Sequence, residues 1–226
     1  MKSSASLISS AFAAALLFAS IAHATPTTAQ FSLDVNSSCC GPAPYGTVSL
    51  TQNGTHEVDF SVSLFDPNMF VFTGQAGAFT FDLNIAPSNL LITLSADSIS
   101  AGFSSTVVGG TPQAEHMAGF GKFNYAIQGD ENHTQGGSTP IGQLLTFSVV
   151  DNSAPISISD FEFNSTGGMG SYFAADILNK PALGTPSTGF VGTDDRAQVT
   201  PEPATFLIAG AGLLGVGLFR RKRASN

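Results

Sequence analysis

Tryptophan is absent from this 226-residue chain, tyrosine occurs three times, and cysteine twice, at the adjacent positions Cys39 and Cys40. The aromatic content is therefore nearly all phenylalanine, which lacks the polar handle that Tyr and Trp offer at wet sites. Two cysteines are too few for a secreted scaffold built on disulfides. Neighbouring Cα atoms lie about 3.8 Å apart, below the usual ~4.4–6.8 Å of a disulfide. A Cys39–Cys40 bridge is thus a strained vicinal ring, which can stiffen the turn before Gly41-Pro42, serve as a redox switch or form a binding platform. Two free or intermolecularly paired thiols are the alternative.

Basic side chains are also scarce. Between residues 25 and 200 only Lys122, Lys180 and Arg196 face fifteen acids, a net charge of −12. Such a surface repels phosphate backbones, which excludes a nucleic-acid partner. It suits solubility outside the cell, or a divalent or cationic partner.

Catalytic motifs are missing as well. There is no HExxH, no GxSxG and no Walker loop, and no His/Cys cluster completes a zinc set. His56, His116 and His133 each sit beside an acid, as solvated residues commonly do. Fifteen acids on one domain bring some pair to a glycosidase-like separation by chance. The loops Gly129-Asp130-Glu131-Asn132 and Thr193-Asp194-Asp195 are acidic but lack EF-hand spacing. The expectation is no enzyme, no catalytic residue, no metal-ligand set and no required cofactor; calcium is admitted without assigned residues.

What is present is alternation. Val58-Asp59-Phe60-Ser61-Val62-Ser63-Leu64 alternates cleanly, as do Phe79–Ile85 and Ile156–Ser159 leading into Phe161-Glu162-Phe163. Phe31–Val35, Thr47–Thr51 and Phe147–Val149 are shorter versions. Period two with Ser, Thr and Asp on one face predicts strands buried on one side, the mark of antiparallel sheets packed face to face. Asn53-Gly54 between two such runs predicts a hairpin. Phe173–Leu178 fits a short helix or a strand equally. The fifteen phenylalanines of residues 25–200 are read as core. The fold class expected is mainly β, an antiparallel, jelly-roll-like β-sandwich of about eight to ten strands over residues 25–180. A Pro/Gly-rich linker over 181–200 follows, with a strand remnant near Phe190-Val191.

The two ends read as addresses. Residues 1–24 combine Lys2, an apolar stretch and Ala22-His23-Ala24, the features of a secretory signal peptide, with Ala22 and Ala24 as the cleavage determinants. At the other end, residues 204–219 carry no charge and precede Arg220-Arg221-Lys222-Arg223. Sixteen residues is slightly short of the ~17–25 of a spanning helix, but basic residues can snorkel. The reading is one C-terminal transmembrane helix with the basic knot on the cytoplasmic side.

Pro201-Glu202-Pro203, the Gly/Leu-rich stretch and the basic knot, in that order, resemble the PEP-CTERM protein-sorting signal of Gram-negative bacteria. Pro44–Val48 and Tyr172–Ile177 make the body similar to the small Phe- and Gly-rich proteins that bear this tail. The resemblance implies recognition of Pro201, Glu202 and Pro203 by exosortase, a membrane cysteine transpeptidase, and association with exopolysaccharide and biofilm. The two prolines keep Glu202 extended and outside any helix, which suits a protease groove. The expectation is an exported, non-enzymatic surface or matrix protein. It would be held transiently in the inner membrane by its C-terminal helix, with the domain outside the cytoplasm, and then sorted to the outer surface. A carbohydrate- or calcium-dependent binding module is the rival reading, and a glycosidase a more distant one.

Overall fold

The computed structural model describes residues 27–194 and 198–199, apart from 38, 75–76, 86–88 and 110–114. The alternating runs form strands. β1 (Thr28–Asn36), β2 (Gly46–Gln52) and β3 (Glu57–Leu64) make a meander. Every second residue of β3, from Val58 to Leu64, is buried. The β2–β3 hairpin turns at Gly54, whose φ of +78° suits glycine, and the Asn53 amide donates to the Glu57 carbonyl at 2.9 Å. β4 (Asn68–Phe70), β5 (Phe79–Phe81) and β6 (Leu90–Leu94) follow, then a six-residue helix α1 (Ala96–Ala101) and β7 (Phe103–Gly109). Ser95 caps α1 by accepting from the Ser98 amide. β8 (Glu115–Met117), β9 (Gly121–Phe123), β10 (Tyr125–Gly129), β11 (Leu144–Asp151), β12 (Phe173–Asn179), β13 (Ser187–Thr193) and β14 (Gln198–Val199) complete the strands among the described residues.

All these pairings are antiparallel. Twelve strands belong to one sheet, whose main path runs β6-β11-β3-β2-β1-β13-β12-β5-β10-β7. β14 pairs with β1, and β4 pairs with the end of β12 beyond β5.

Ring distances show how this sheet is bent. Phe60 on β3 and Phe81 on β5 are five steps apart along the hydrogen-bonded path. At about 4.8 Å per step a flat sheet would separate them by roughly 24 Å, yet their ring centroids are 5.5 Å apart. The sheet therefore curls until its apolar face meets itself. Register shifts between Leu33 and Val35 on β1 and between Ile127 and Gly129 on β10 are the local bends that add to normal strand twist. The edges β6 and β7 are not paired with each other, so the curl is a half-barrel left largely open.

The expected β-sandwich is corrected by this path. β1 pairs with β2 on one edge and β13 on the other, joining what would have been two sheets into one. Period two reports one buried face and does not distinguish a facing sheet from the inside of a curl.

The core inside the curl is dominated by phenylalanine. Phe60 stacks on Phe147 at 4.5 Å and meets Phe161 at 4.9 Å and Phe173 at 6.0 Å, both edge to face. A second, smaller cluster lies on the other face. There Met117, Phe120 and Phe123 of the β8–β9 hairpin pack with Ala174, Val35 and Phe190. The first six residues of β12 are all buried, with this hairpin packed on Ala174 and the Thr73-Gly74 loop on Asp176, which is why Phe173–Leu178 shows no alternation. The stretch read as a strand at Ile156–Phe163 instead contains a 3-10 turn, Ile158–Phe161. Asp160 accepts from the Ser157 amide and hydroxyl at 2.8 Å each, a capping-box arrangement that wins over strand pairing.

The expected C-terminal transmembrane helix is also corrected. Among the described residues no helix is long and apolar enough to cross a membrane, and α1 has six residues. Residues 204–219, where the span was placed, lie outside the described residues. The inner membrane as a partner and the transient anchoring in it, both built on that helix, are corrected with it.

Phe60→Ala removes a ring from the centre of the aromatic cluster and should destabilise the fold by about 3–5 kcal/mol, measured by denaturant unfolding. Leu183→Ala, at a residue that is 94% exposed, should stay within about 0.5 kcal/mol. Equal effects would contradict a core centred on Phe60.

Candidate functional site

Two of the three described histidines are tied into the scaffold. His56 places Nδ1 against the carbonyls of Asp151 and Ala154, at 2.9 and 3.0 Å. His133 Nδ1 lies 2.7 Å from Asp130 Oδ1, and this hydrogen bond holds the Asp130 carboxyl below its ordinary range. His116 is opposite Lys122 in the β8–β9 hairpin and is exposed. Among the described residues no group of three or more His, Cys, Asp or Glu can hold a metal ion.

Three aspartates are buried, and each clamps a loop. Asp176, in the middle of β12, accepts at Oδ2 from the Thr73 amide (2.6 Å), the Thr73 hydroxyl (2.7 Å) and the Gly74 amide (2.9 Å). Its other oxygen is buried without a partner. Burial pushes this carboxyl up to about 6, against the opposing pull of those donors. Asp82 accepts from the Asn124 amide at 2.6 Å and is likewise pushed up to about 6 by burial. Asp151 accepts at Oδ1 from the Ser153 amide and hydroxyl and the Ala154 amide. The Ser153 hydroxyl is the chief cause that holds it low. Sequence reading missed all three clamps. The available signal was an Asp inside the otherwise apolar run Phe173–Leu178, since a buried carboxylate needs donors.

Cys39 and Cys40 are joined in a vicinal disulfide, with Cα atoms 3.7 Å apart. Cys40 has φ +76°, the left-handed region that non-glycine residues rarely occupy. The loop carrying the ring is braced on both sides. The Ser37 amide donates to the Phe190 carbonyl at 3.0 Å, and the Tyr45 amide to the Leu33 carbonyl at 2.8 Å. The buried Tyr45 hydroxyl donates to the Gly41 carbonyl at 2.6 Å and accepts from the Asn36 amide side chain. Gly189 of β13 lies directly against the ring. A Cβ there would sit 2.5 Å from both Cys39 Cβ and Cys39 Sγ, so no other residue fits without displacing the ring.

This ring forms one wall of a cleft of about 310 Å³. It is lined by Ser37 and Cys39, by Ala118 and Gly119 of the β8–β9 turn, and by Thr188, Gly189 and Phe190; Ser37 lies directly against Gly119, where a Cβ would sit 2.5 Å from Ser37 Cβ. The cleft is lined from both sides of β13: Cys39 packs against the main core, in which Cys40 is buried, whereas Phe190 packs with the smaller cluster. Two further clefts each include an acid, Asp160 in one and Asp59 in the other.

The remaining sequence-nominated positions lie outside the described residues: the cleavage determinants Ala22 and Ala24, the triplet Pro201, Glu202 and Pro203, and the basic residues Arg220, Arg221, Lys222 and Arg223.

The raised carboxyls set a pH dependence. A folded-state pKa above the unfolded value means that the folded form binds the proton more tightly, so stability falls as pH rises from about 4 through about 6. The melting temperature should therefore be higher at pH 5 than at pH 7. Asp176→Asn keeps the acceptor for Thr73 and Gly74 but cannot ionise, so it should reduce that slope. A thermal-denaturation series with identical slopes for the two proteins would contradict the assignment.

No curated protein and no solved structure matches this chain. The family-model comparison gives one local match, the PEP-CTERM protein-sorting motif, over residues 199–223. The motif and the lack of a metal or active-site cluster among the described residues are consistent with a non-catalytic protein. The chain thus carries a PEP-CTERM sorting motif over residues 199–223 in addition to the half-barrel.

Proposed function

We propose that this is an exported, non-enzymatic surface or extracellular-matrix protein, delivered by its PEP-CTERM motif and associated with exopolysaccharide. The observation that carries the reading is the motif match over residues 199–223. Export begins with removal of residues 1–24 at Ala22-His23-Ala24. Exosortase then recognises Pro201, Glu202 and Pro203. These three are substrate features: prolines on both sides of Glu202 remove backbone donors and hold the strip extended, ready to lie in an enzyme groove.

The body suits life outside the cell. Its net charge of −12 over residues 25–200 favours solubility. Asp82, Asp151 and Asp176 clamp loops, His56 lies against backbone carbonyls and His133 against an acid. No general acid–base pair is assembled from them, and this supports a non-catalytic role.

Replacing Glu202 by Ala, or Pro201 and Pro203 together by Ala, should leave an unprocessed form that accumulates with the cells in a host containing exosortase. Immunoblotting of cell and medium fractions reads the outcome. Processing and release at the parental level in both variants would overturn the sorting reading.

A further inference from the structure

We propose that the cleft between the Cys39–Cys40 ring, the β8–β9 turn and the start of β13 binds an uncharged sugar residue of a polysaccharide chain. The inference deepens the surface-protein reading and rests on it for access to such a chain. The first argument is charge. In a segment with net charge −12, the lining residues Ser37, Cys39, Ala118, Gly119, Thr188, Gly189 and Phe190 include no ionisable group. An anionic ligand would find no counter-charge there and a cation no carboxylate, whereas the two other clefts each include an acid.

The second argument is the distribution of polar and apolar surface. Cys39 of the disulfide gives polarisable apolar surface, and Phe190, which packs with the smaller cluster, also lines the cleft. The Ser37 hydroxyl, 3.4 Å from the Phe190 carbonyl, and the exposed Thr188 place hydroxyls at its margin. A pyranose has the complementary form, with a C–H face and a rim of hydroxyls. The volume of about 310 Å³ is at the low end of ligand sites, about 300–1,000 Å³, and takes roughly one or two six-membered rings.

The third argument is preorganisation. Cys40 is held in a left-handed conformation, and the loop is fixed by Tyr45, Asn36 and the Ser37–Phe190 backbone bond. Backbone outliers of this kind persist only where surroundings enforce them, and they concentrate at ligand sites. A wall already rigid costs little ordering on binding. The vicinal ring is a fixed part of this wall, with Gly189 kept bare to seat it.

The test is calorimetric titration of the exported protein, purified from its host, with neutral tetramers of glucose, galactose and mannose and with a tetramer of a uronic acid. Ala118→Trp fills the cleft from an exposed turn, and Thr188→Trp fills it from the exposed start of β13. Thr55→Trp, in the cleft near Asp160, is the control. At least one neutral tetramer should bind saturably, with the uronate at least about ten-fold weaker. Both blocking variants should weaken binding at least about ten-fold at an unchanged melting temperature, and the control should bind as the parent does. No saturable binding of any neutral tetramer, undiminished binding by both blocking variants, or uronate binding as tight as neutral binding would overturn the proposal. Failure of sugar binding while Glu202→Ala still blocks processing sinks this inference alone. Sugar binding with processing unaffected by Glu202→Ala sinks the sorting reading alone.

Discussion

The structure depends on one packing constraint: phenylalanine rings from strands far apart in the sheet must share one interior. Phe60, Phe81, Phe147, Phe161 and Phe173 come from β3, β5, β11, the 3-10 turn and β12, yet lie within about one ring of each other. A flat sheet leaves these rings in water. Curling brings them together without a second sheet, and the register shifts on β1 and β10 make the bend. The open edges β6 and β7 follow from the same geometry, because the core is sealed before the last pair of strands meets.

The curl also organises the outer surface. β12 and β13 lie with one face on the main core and the other under the β8–β9 hairpin. Further along β12, the buried Asp176 is satisfied by the loop at Thr73-Gly74. The hairpin turn at Ala118-Gly119 also lines the cleft, together with Cys39 and the start of β13. Of the histidines that sequence inspection flags, His56 is held against the carbonyls of Asp151 and Ala154 and His133 against Asp130, while His116 stays exposed.

How much of this is legible in the sequence depends on the range of the interaction. β3 and the Asn53-Gly54 hairpin are written in local alternation and turn chemistry, and the sorting motif is a linear string, so each is readable directly. The curl is not, because alternation is identical inside a curl and between facing sheets. Phe173–Leu178 was ambiguous because burial on both faces erases period two. Ile156–Phe163 misled because Ser157 and Asp160 prefer their own local hydrogen bonds. The cleft joins Ser37 and Cys39 to Thr188–Phe190, about 150 residues away in the chain, and no local pattern reports such a meeting. For the two cysteines, spacing left a ring and free thiols both open.

The central claim is that this half-barrel is cargo for an export and sorting route. Intact mass of the protein recovered from its native host, fraction by fraction, tests it most directly. The account predicts a surface or extracellular species that has lost residues 1–24 and ends at or near the Pro201–Pro203 triplet. A sole species running from Met1 to Asn226 in every fraction would contradict it.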